Sequence, residues 1–353
     1  MDPLDDILPT LLLRGMVLYR AQMRAPFGVR FDDSVSGADA SFHVVTSGRC
    51  LLTVEGLPVG QSSPAWLETG DLVIFPHGHP HTLRDSEKTP VRALEALLGE
   101  RCVMDEQAGI ARFGGGDGEV TAETVCGDLH FRDGDLPASL ANPLLAALPP
   151  VLLVRGEAGR AAPWLQATVD TLVYEADRGR RRPGARTVMS RLADVLFIQA
   201  VRAFLTDECA GAAPRTGGEG GGNWLRALAD GEIGPLLGAV NRAPAEEWTV
   251  EKMARAAGMS RSAFAERFTR LVGEPPLHYV TRWRLYTAAR LLRASPRRTL
   301  AEIARSVGYG SEAALSTAFK RWTGTAPGAF RRQGHPESEG GAHFSFEEAV
   351  RAA

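Results

Sequence analysis

The sequence predicts an α+β chain in three blocks: an antiparallel β-barrel or double-sheet jelly roll in front, helices in the middle, and an all-α end. Three observations predict it. Short apolar or alternating runs bounded by Gly, Pro, Asp and Ser fill the first third. Wide helical stripes follow them. Between Trp248 and Arg332, two helix-turn-helix patterns stand in tandem about fifty residues apart.

Composition bounds the problem first. A chain of 353 residues suits two or three domains, and 44% hydrophobic with 23% charged residues is globular composition. No apolar run reaches the roughly 18 residues that span a bilayer. The start MDPLDDILP is acidic where a signal peptide would be basic, so a cytoplasmic protein with no membrane partner is expected. Cys50, Cys102, Cys126 and Cys209 form no CxxC pair and are not expected in disulfides. The net charge of −2 hides an asymmetry: Pro235 to Arg332 holds 17 Lys/Arg against 7 Asp/Glu, and the remainder 23 against 35. A basic module tied to an acidic one fits a nucleic-acid reader coupled to a different kind of domain. No nucleophile triad, P-loop or GxGxxG fingerprint is present.

Taken in order, residues 1–25 read as an amphipathic helix, with Leu8, Leu11, Leu12 and Met16 on one face. From Phe27 to about Phe131 the runs ASFHVVTSG, RCLLTVEG, PAWLETGDLVIFPHG, PVRALEALL and ETVCGDLHF read as strands. After Leu136, NPLLAALPPVLLVRG predicts a short helix and a turn. PWLQATVDTLVYEADRG and TVMSRLADVLFIQAVRAFLTDE predict two amphipathic helices. The second has Met189, Leu192, Leu196, Gln199 and Ala203 on one side, widened by Val195, Ile198, Val201 and Leu205. So wide a stripe wants a partner helix, from a second copy or from the barrel. The Gly-rich stretch 209–222 is a flexible linker. NWLRALADGEIGPLLGAVNRAPAEEW is a lead helix.

The first helix-turn-helix runs from Thr249 to Gly273 and the second from Thr299 to Gly324. Each breaks at a glycine, Gly258 or Gly308, and resumes at Ser260 or Ser311, which are placed to cap the next helix. Between them YVTRWRLYTAARLLRAS keeps Trp283, Leu285, Ala288, Ala289, Leu291 and Leu292 in helical spacing, a rigid strut. The tail from 334 to 353 is assigned nothing. The blocks are therefore 1–136, 137–208, 209–222, 223–333 and 334–353.

The stretches MARAAGMSRSAFAERF and IARSVGYGSEAALSTAFKRWTGTAPGAFRR resemble the DNA-binding domain of AraC/XylS-type transcription regulators. The front block resembles the cupin domain found before such readers. The second cupin motif is met at Gly70, Pro76, Gly78 and His81, with Asp85 in place of its final Asn. The first is degenerate: His43 follows Gly37, but Val45 and Arg49 replace a His and a Glu, before Gly56. The usual three-His-one-Glu metal set is not intact.

The resemblance implies a sequence-specific regulator that binds a double-stranded operator. It also implies a homodimer joined through the helices after the cupin, with RNA polymerase as a further partner. In helix-turn-helix geometry the start of the second helix faces the bases. Phe264, Phe268, Leu271, Leu315 and Phe319 keep the buried spacing. Ser262, Ala265 and Glu266, with Ser311, Glu312, Ala313, Ser316 and Thr317, then face out. Arg261, Arg267, Lys320 and Arg321 are expected near phosphates.

For the front domain three signals stay open. His43, His77, His79, His81, Cys102 and Cys126 could hold a zinc-like divalent metal, with His43 across the barrel from His81. Cys102 and Cys126 could sense an oxidant. An organic effector could enter an apolar barrel. The rival function is a metal-dependent cupin enzyme, such as a dioxygenase, fused to a DNA reader; the missing His and Glu weigh against it. A purely architectural DNA binder would leave the acidic front domain without a role.

Overall fold

The structure is a computed structural model that describes residues 7–8, 13–32, 40–57, 63–98, 103–105, 110–114, 119–131, 142–156, 163–179, 183–209, 224–295 and 297–333. These fall into two compact units. A sheet unit holds 13–131 and 149–207, and a helical unit holds 7–8, 142–148 and 224–333. Most of the expected linker and the tail lie outside the described residues.

The strands of the sheet unit are β1 (Leu13–Arg24), β2 (Gly28–Phe31), β3 (Ala40–Val54), β4 (Ala65–Glu68), β5 (Leu72–Phe75), β6 (His81–Arg84), β7 (Arg92–Ala93), β8 (Val103–Asp105), β9 (Ile110–Gly114), β10 (Val120–Phe131) and β11 (Leu152–Val154). Among the described residues they join in one 11-stranded sheet. The long β3 makes it curl. Its first part pairs with β10 and β5, and its second with β4 and β6. Successive side chains alternate between faces. Tyr19, Ala21 and Met23 join Val45, Leu52, Phe75 and Cys126 in the enclosed core. Arg20 and Gln22, on the opposite face, both bond Glu123.

The structure corrects two expectations in the sheet unit and adds one strand. Residues 13–24 form strand β1, not part of a helix. The alternation of buried Tyr19, Ala21 and Met23 with half-buried Arg20 and Gln22 has period two, and β10 pairs with it along its whole length. Pairing with a long partner strand outweighs local helical spacing. PVRALEALL holds only the two-residue β7 before helix α1 (Leu94–Leu98). The run after the paired prolines is strand β11, added to β5.

The remaining helices are α2 (Pro143–Ala147), α3 (Pro163–Gly179), α4 (Ala185–Cys209), α5 (Trp224–Ala229), α6 (Ile233–Arg242), α7 (Val250–Ala256), α8 (Arg261–Val272), α9 (Pro276–Ala294), α10 (Leu300–Ser306), α11 (Glu312–Thr323) and α12 (Pro327–Gln333). α3 and α4 belong to the sheet unit and the others to the helical unit. The single lead helix is two helices, α5 and α6. The Asp230 carboxylate accepts from the backbone N–H of Glu232 and of Ile233, which starts α6 afresh.

Candidate functional site

Both helix-turn-helix units are built from the same local parts. Thr249 opens α7 by accepting from the Lys252 N–H, and Ser260 opens α8 by accepting from the Ala263 N–H at 3.3 Å. Thr299 opens α10 with a capping box: its hydroxyl accepts from the Glu302 N–H, and the Glu302 carboxylate accepts from the Thr299 N–H. Ser311 opens α11 by accepting from the Ala314 N–H at 3.1 Å. The turns bend through Gly258 at φ +66° and Gly308 at φ +82°. Phe264 and Phe268 are fully buried on α8, as are Leu315 and Phe319 on α11. Phe268 meets Tyr279 of α9 edge-on, and Phe319 meets Phe330 of α12. The strut α9 buries Trp283, Leu285, Ala288, Ala289 and Leu292. At about 1.5 Å per residue it is about 28 Å long.

With the phenylalanines inward, the outward residues are fixed. On α8, Ser262 and Glu266 are exposed and Ala265 is half-buried. Arg261 is exposed and pairs with Glu251 of α7 at 3.0 Å. On the second unit Ser311, Glu312, Ala313 and Thr317 are exposed, Ser316 is half-buried, and Lys320 and Arg321 are exposed. The Thr317 hydroxyl donates to the Ala313 carbonyl, and the Ser311 hydroxyl oxygen accepts from the Ala314 N–H. Arg267, expected near phosphates, is held by two acids. Its guanidinium donates to Asp230 at 2.8 Å and lies 2.9 Å from Glu232, the two acids of the α5–α6 turn. Sequence reading missed Asp230 and Glu232. Their one local mark is the acid-Gly-acid stretch inside an otherwise helical pattern.

Inside the curled sheet His43 and His81 face each other, Nε2 to Nε2, at 2.7 Å, and His43 Nδ1 lies 3.0 Å from Cys126 Sγ. The proton order follows from one carbonyl. His81 Nδ1 is 2.9 Å from the His79 carbonyl oxygen, which can only accept, so Nδ1 carries the proton. In a neutral ring His81 Nε2 then accepts from His43 Nε2–H, and His43 Nδ1 accepts from the Cys126 thiol. Phe75 stacks on His81 at 3.8 Å and Phe31 at 5.0 Å. Burial lowers the pKa of both imidazoles, His81 to about 4, so both are neutral at pH 7.

A cupin family model matches residues 2–206, and a helix-turn-helix domain model matches 253–333. An AraC-like transcription regulator of Streptomyces lividans is 35% identical over 95% of this chain and 99% of its own length. The chain belongs to the AraC-like family of transcription regulators. The transcriptional regulator MtrA of Neisseria gonorrhoeae is 29% identical over 95% of this chain and 99% of that protein. Among solved structures, the DNA-binding domain of AdpA in complex with a target DNA is 32% identical over 30% of this chain and 93% of that one, at a TM-score of 0.29. The relatives are regulators by name, and the enzyme alternative gives way to them.

In this AraC-like regulator the cupin residues do not fit the zinc-like site expected from the sequence. A metal needs lone pairs that converge on one point. The two nitrogens of His43 point apart, one to His81 and one to Cys126, and His81 Nδ1 carries a proton. Two imidazoles on one ion at about 2.0–2.1 Å each would also sit farther apart than 2.7 Å. His77 is exposed and His79 half-buried in the loop beyond. Among the described residues no three His, Cys, Asp or Glu side chains form a group that could hold an ion. Cys102 lies outside the described residues. Cys126 is enclosed, and burial pushes its thiol up to about 12, the opposite of what a reactive thiolate needs.

A second feature lies on the outer face of the sheet. There α3 and strands β1, β3 and β10 border a groove of about 350 Å³. Val44, Val169 and Val173 give it apolar walls; Arg20, Glu123 and Asp170 supply charge. Arg20 and Glu123 pair with each other at 2.5 Å, and Asp170 accepts from Gln166 at 2.7 Å. Among the described residues no helix is long and apolar enough to cross a membrane.

Proposed function

We propose that this regulator reads a two-part operator in double-stranded DNA through the outward faces of α8 and α11, and that a small organic effector bound by the cupin domain alters that reading. The observation that carries it is the sorting of each reading helix. Phenylalanine anchors one face, which leaves Ser262 and Glu266, and in the second unit Glu312, Ala313 and Thr317, exposed. Glu can accept from cytosine N4, and Ser, Thr and Ala suit mixed or methyl contacts. No arginine stands among them, so a bidentate guanine contact is not expected from these positions. Lys320 and Arg321 are exposed one turn further on and suit phosphates.

An organic effector is favoured over a metal or an oxidant by the donor geometry around His43 and by the enclosed Cys126 thiol. The groove beside α3 is within the usual size range of small-molecule sites and mixes apolar walls with a few charges. A homodimer is supported by Val188 and Val195, 41% and 40% exposed and two turns apart on α4. Selection of duplexes from a random pool by the full chain tests this reading, with and without added metals, oxidants and metabolites. A bipartite enriched motif whose affinity moves with an organic compound is expected. Recovery of no sequence above the input pool would sink it. In the same assay Lys320→Ala lowers the slope of log affinity against log salt by about 0.9 on every sequence.

A further inference from the structure

We propose that Arg267 serves DNA binding as a positioning residue, gripped from behind by Asp230 and Glu232, and does not contact phosphate. The inference rests on α8 being a DNA-reading helix. One guanidinium nitrogen of Arg267 lies 2.8 Å from Asp230 and 2.9 Å from Glu232. Its side chain is 37% exposed, against 71% for Arg261 and 68% for Arg270 on the same helix.

Asp230 does two jobs at once. One carboxylate oxygen accepts from the Glu232 N–H at 3.1 Å and the Ile233 N–H at 3.0 Å, which caps α6; the other takes Arg267. Burial by itself would raise the Asp230 pKa, but the bonds from the Ile233 N–H, Arg267 and the Glu232 N–H outweigh it and hold the acid below its ordinary value. The hydrogen bond to Asp230 likewise raises the Arg267 pKa. Two carboxylates stand around one guanidinium, a net charge of −1. A DNA phosphate brought to it would meet two carboxylates for one guanidinium. Contact there would release no counterion, because the cation is already neutralised. What the grip does supply is orientation. It ties the turn between α5 and α6 to the middle of α8, one helical turn beyond Ala263, so the outward face of the reading helix is set by the lead helices.

The test uses the full chain, a duplex enriched from the random pool and a random-sequence duplex, titrated at several salt concentrations. Three variants are compared: Arg267→Gln, the pair Asp230→Asn with Glu232→Gln, and all three changes together. Asn at 230 keeps an oxygen to cap α6. Each of the first two variants is expected to weaken the enriched duplex roughly three- to fivefold, and the triple variant no further than the weaker of them. Salt slopes and random-duplex affinity stay at the parent value. A slope reduced by about 0.9 in Arg267→Gln would overturn the proposal, since that is the loss of one phosphate contact. So would tighter binding when the two acids are neutralised. Should Arg267→Gln not fold, the acid pair answers alone, because it leaves the guanidinium in place. A Lys320→Ala variant with an unchanged slope would count against the placement of the reader and leave the non-additivity of this cycle as it stands.

Discussion

His43 and His81 are both enclosed, and each imidazole is already committed on both nitrogens. Protonating either would place a charge among Phe31 and Phe75 and break the order of the chain. The consequence for stability has a definite sign. Burial lowers the folded pKa of both groups from 6.5, to about 4 for His81, so below pH 6.5 the unfolded chain binds more protons than the folded one. Stability is full above 6.5 and is lost as pH falls toward 4. Urea unfolding of the cupin domain, followed at steps through that window, is expected to lose a few kcal/mol. His81→Phe, which can stack on Phe75 in the same way, costs stability at neutral pH and makes the acid loss visibly shallower. An equally steep loss in that variant would refute the assignment. The facing of His43 and His81 was implied by the resemblance to the cupin motifs, which placed them across the barrel from each other. The proton order was not, since it depends on the His79 carbonyl and on a thiol 83 residues from His43.

At the scale of elements, the two reading units look alike in sequence and differ at their turns. A side chain at Gly258 would meet nothing within 4 Å. At Gly308 it would come within 2.9 Å of the Ala245 Cα and of the Arg284 guanidinium. Arg284 bonds the carbonyls of Pro244 and Glu246 at 2.7 Å, so it is not free to give way. Gly258→Ala is therefore expected to cost about 1–2 kcal/mol, from the left-handed backbone alone. Gly308→Ala costs clearly more, as a drop in the thermal midpoint of the helical unit will show. Thr299→Ala removes half of the capping box and costs about 1 kcal/mol by the same measurement. Caps, breaks and buried phenylalanines were readable because all are set within a few residues. β1 was not: its pairing with β10 joins Arg20 to Val125, so no local window contains its partner.

For the molecule as a whole, the chain leaves the sheet unit after β10, contributes α2 to the helical unit, and returns to the sheet unit at β11. Asn142 is 1% exposed. It caps α2 by accepting from the Leu144 N–H and donates to the Tyr286 hydroxyl at 2.9 Å, in the middle of the strut between the two reading helices. Leu144 and Leu148 are buried, and α2 packs against α5. The expected boundaries at 136 and 223 therefore do not coincide with the compact units. Residues 142–148 stand outside the 223–333 block yet pack within the reader. Asn142→Ala is expected to destabilise the reader by about 1–2 kcal/mol. The fluorescence of Trp224, Trp248, Trp283 and Trp322 reports that transition. An isolated 223–333 fragment should still bind DNA and melt below the same helices in the full chain.

By itself the sequence determined the doubled reader, its caps and which face of each reading helix is buried, while the family entered through the likeness of two stretches to known regulators. Those properties are written in spacings of three, four and seven residues, where helix geometry alone decides which side chains are neighbours. Only the tertiary structure decided that residues 13–24 are a strand, that α2 joins the reader, and that Arg267 answers to Asp230. Each of those depends on a partner tens to hundreds of residues away, chosen by how the chain packs rather than by how it is spaced.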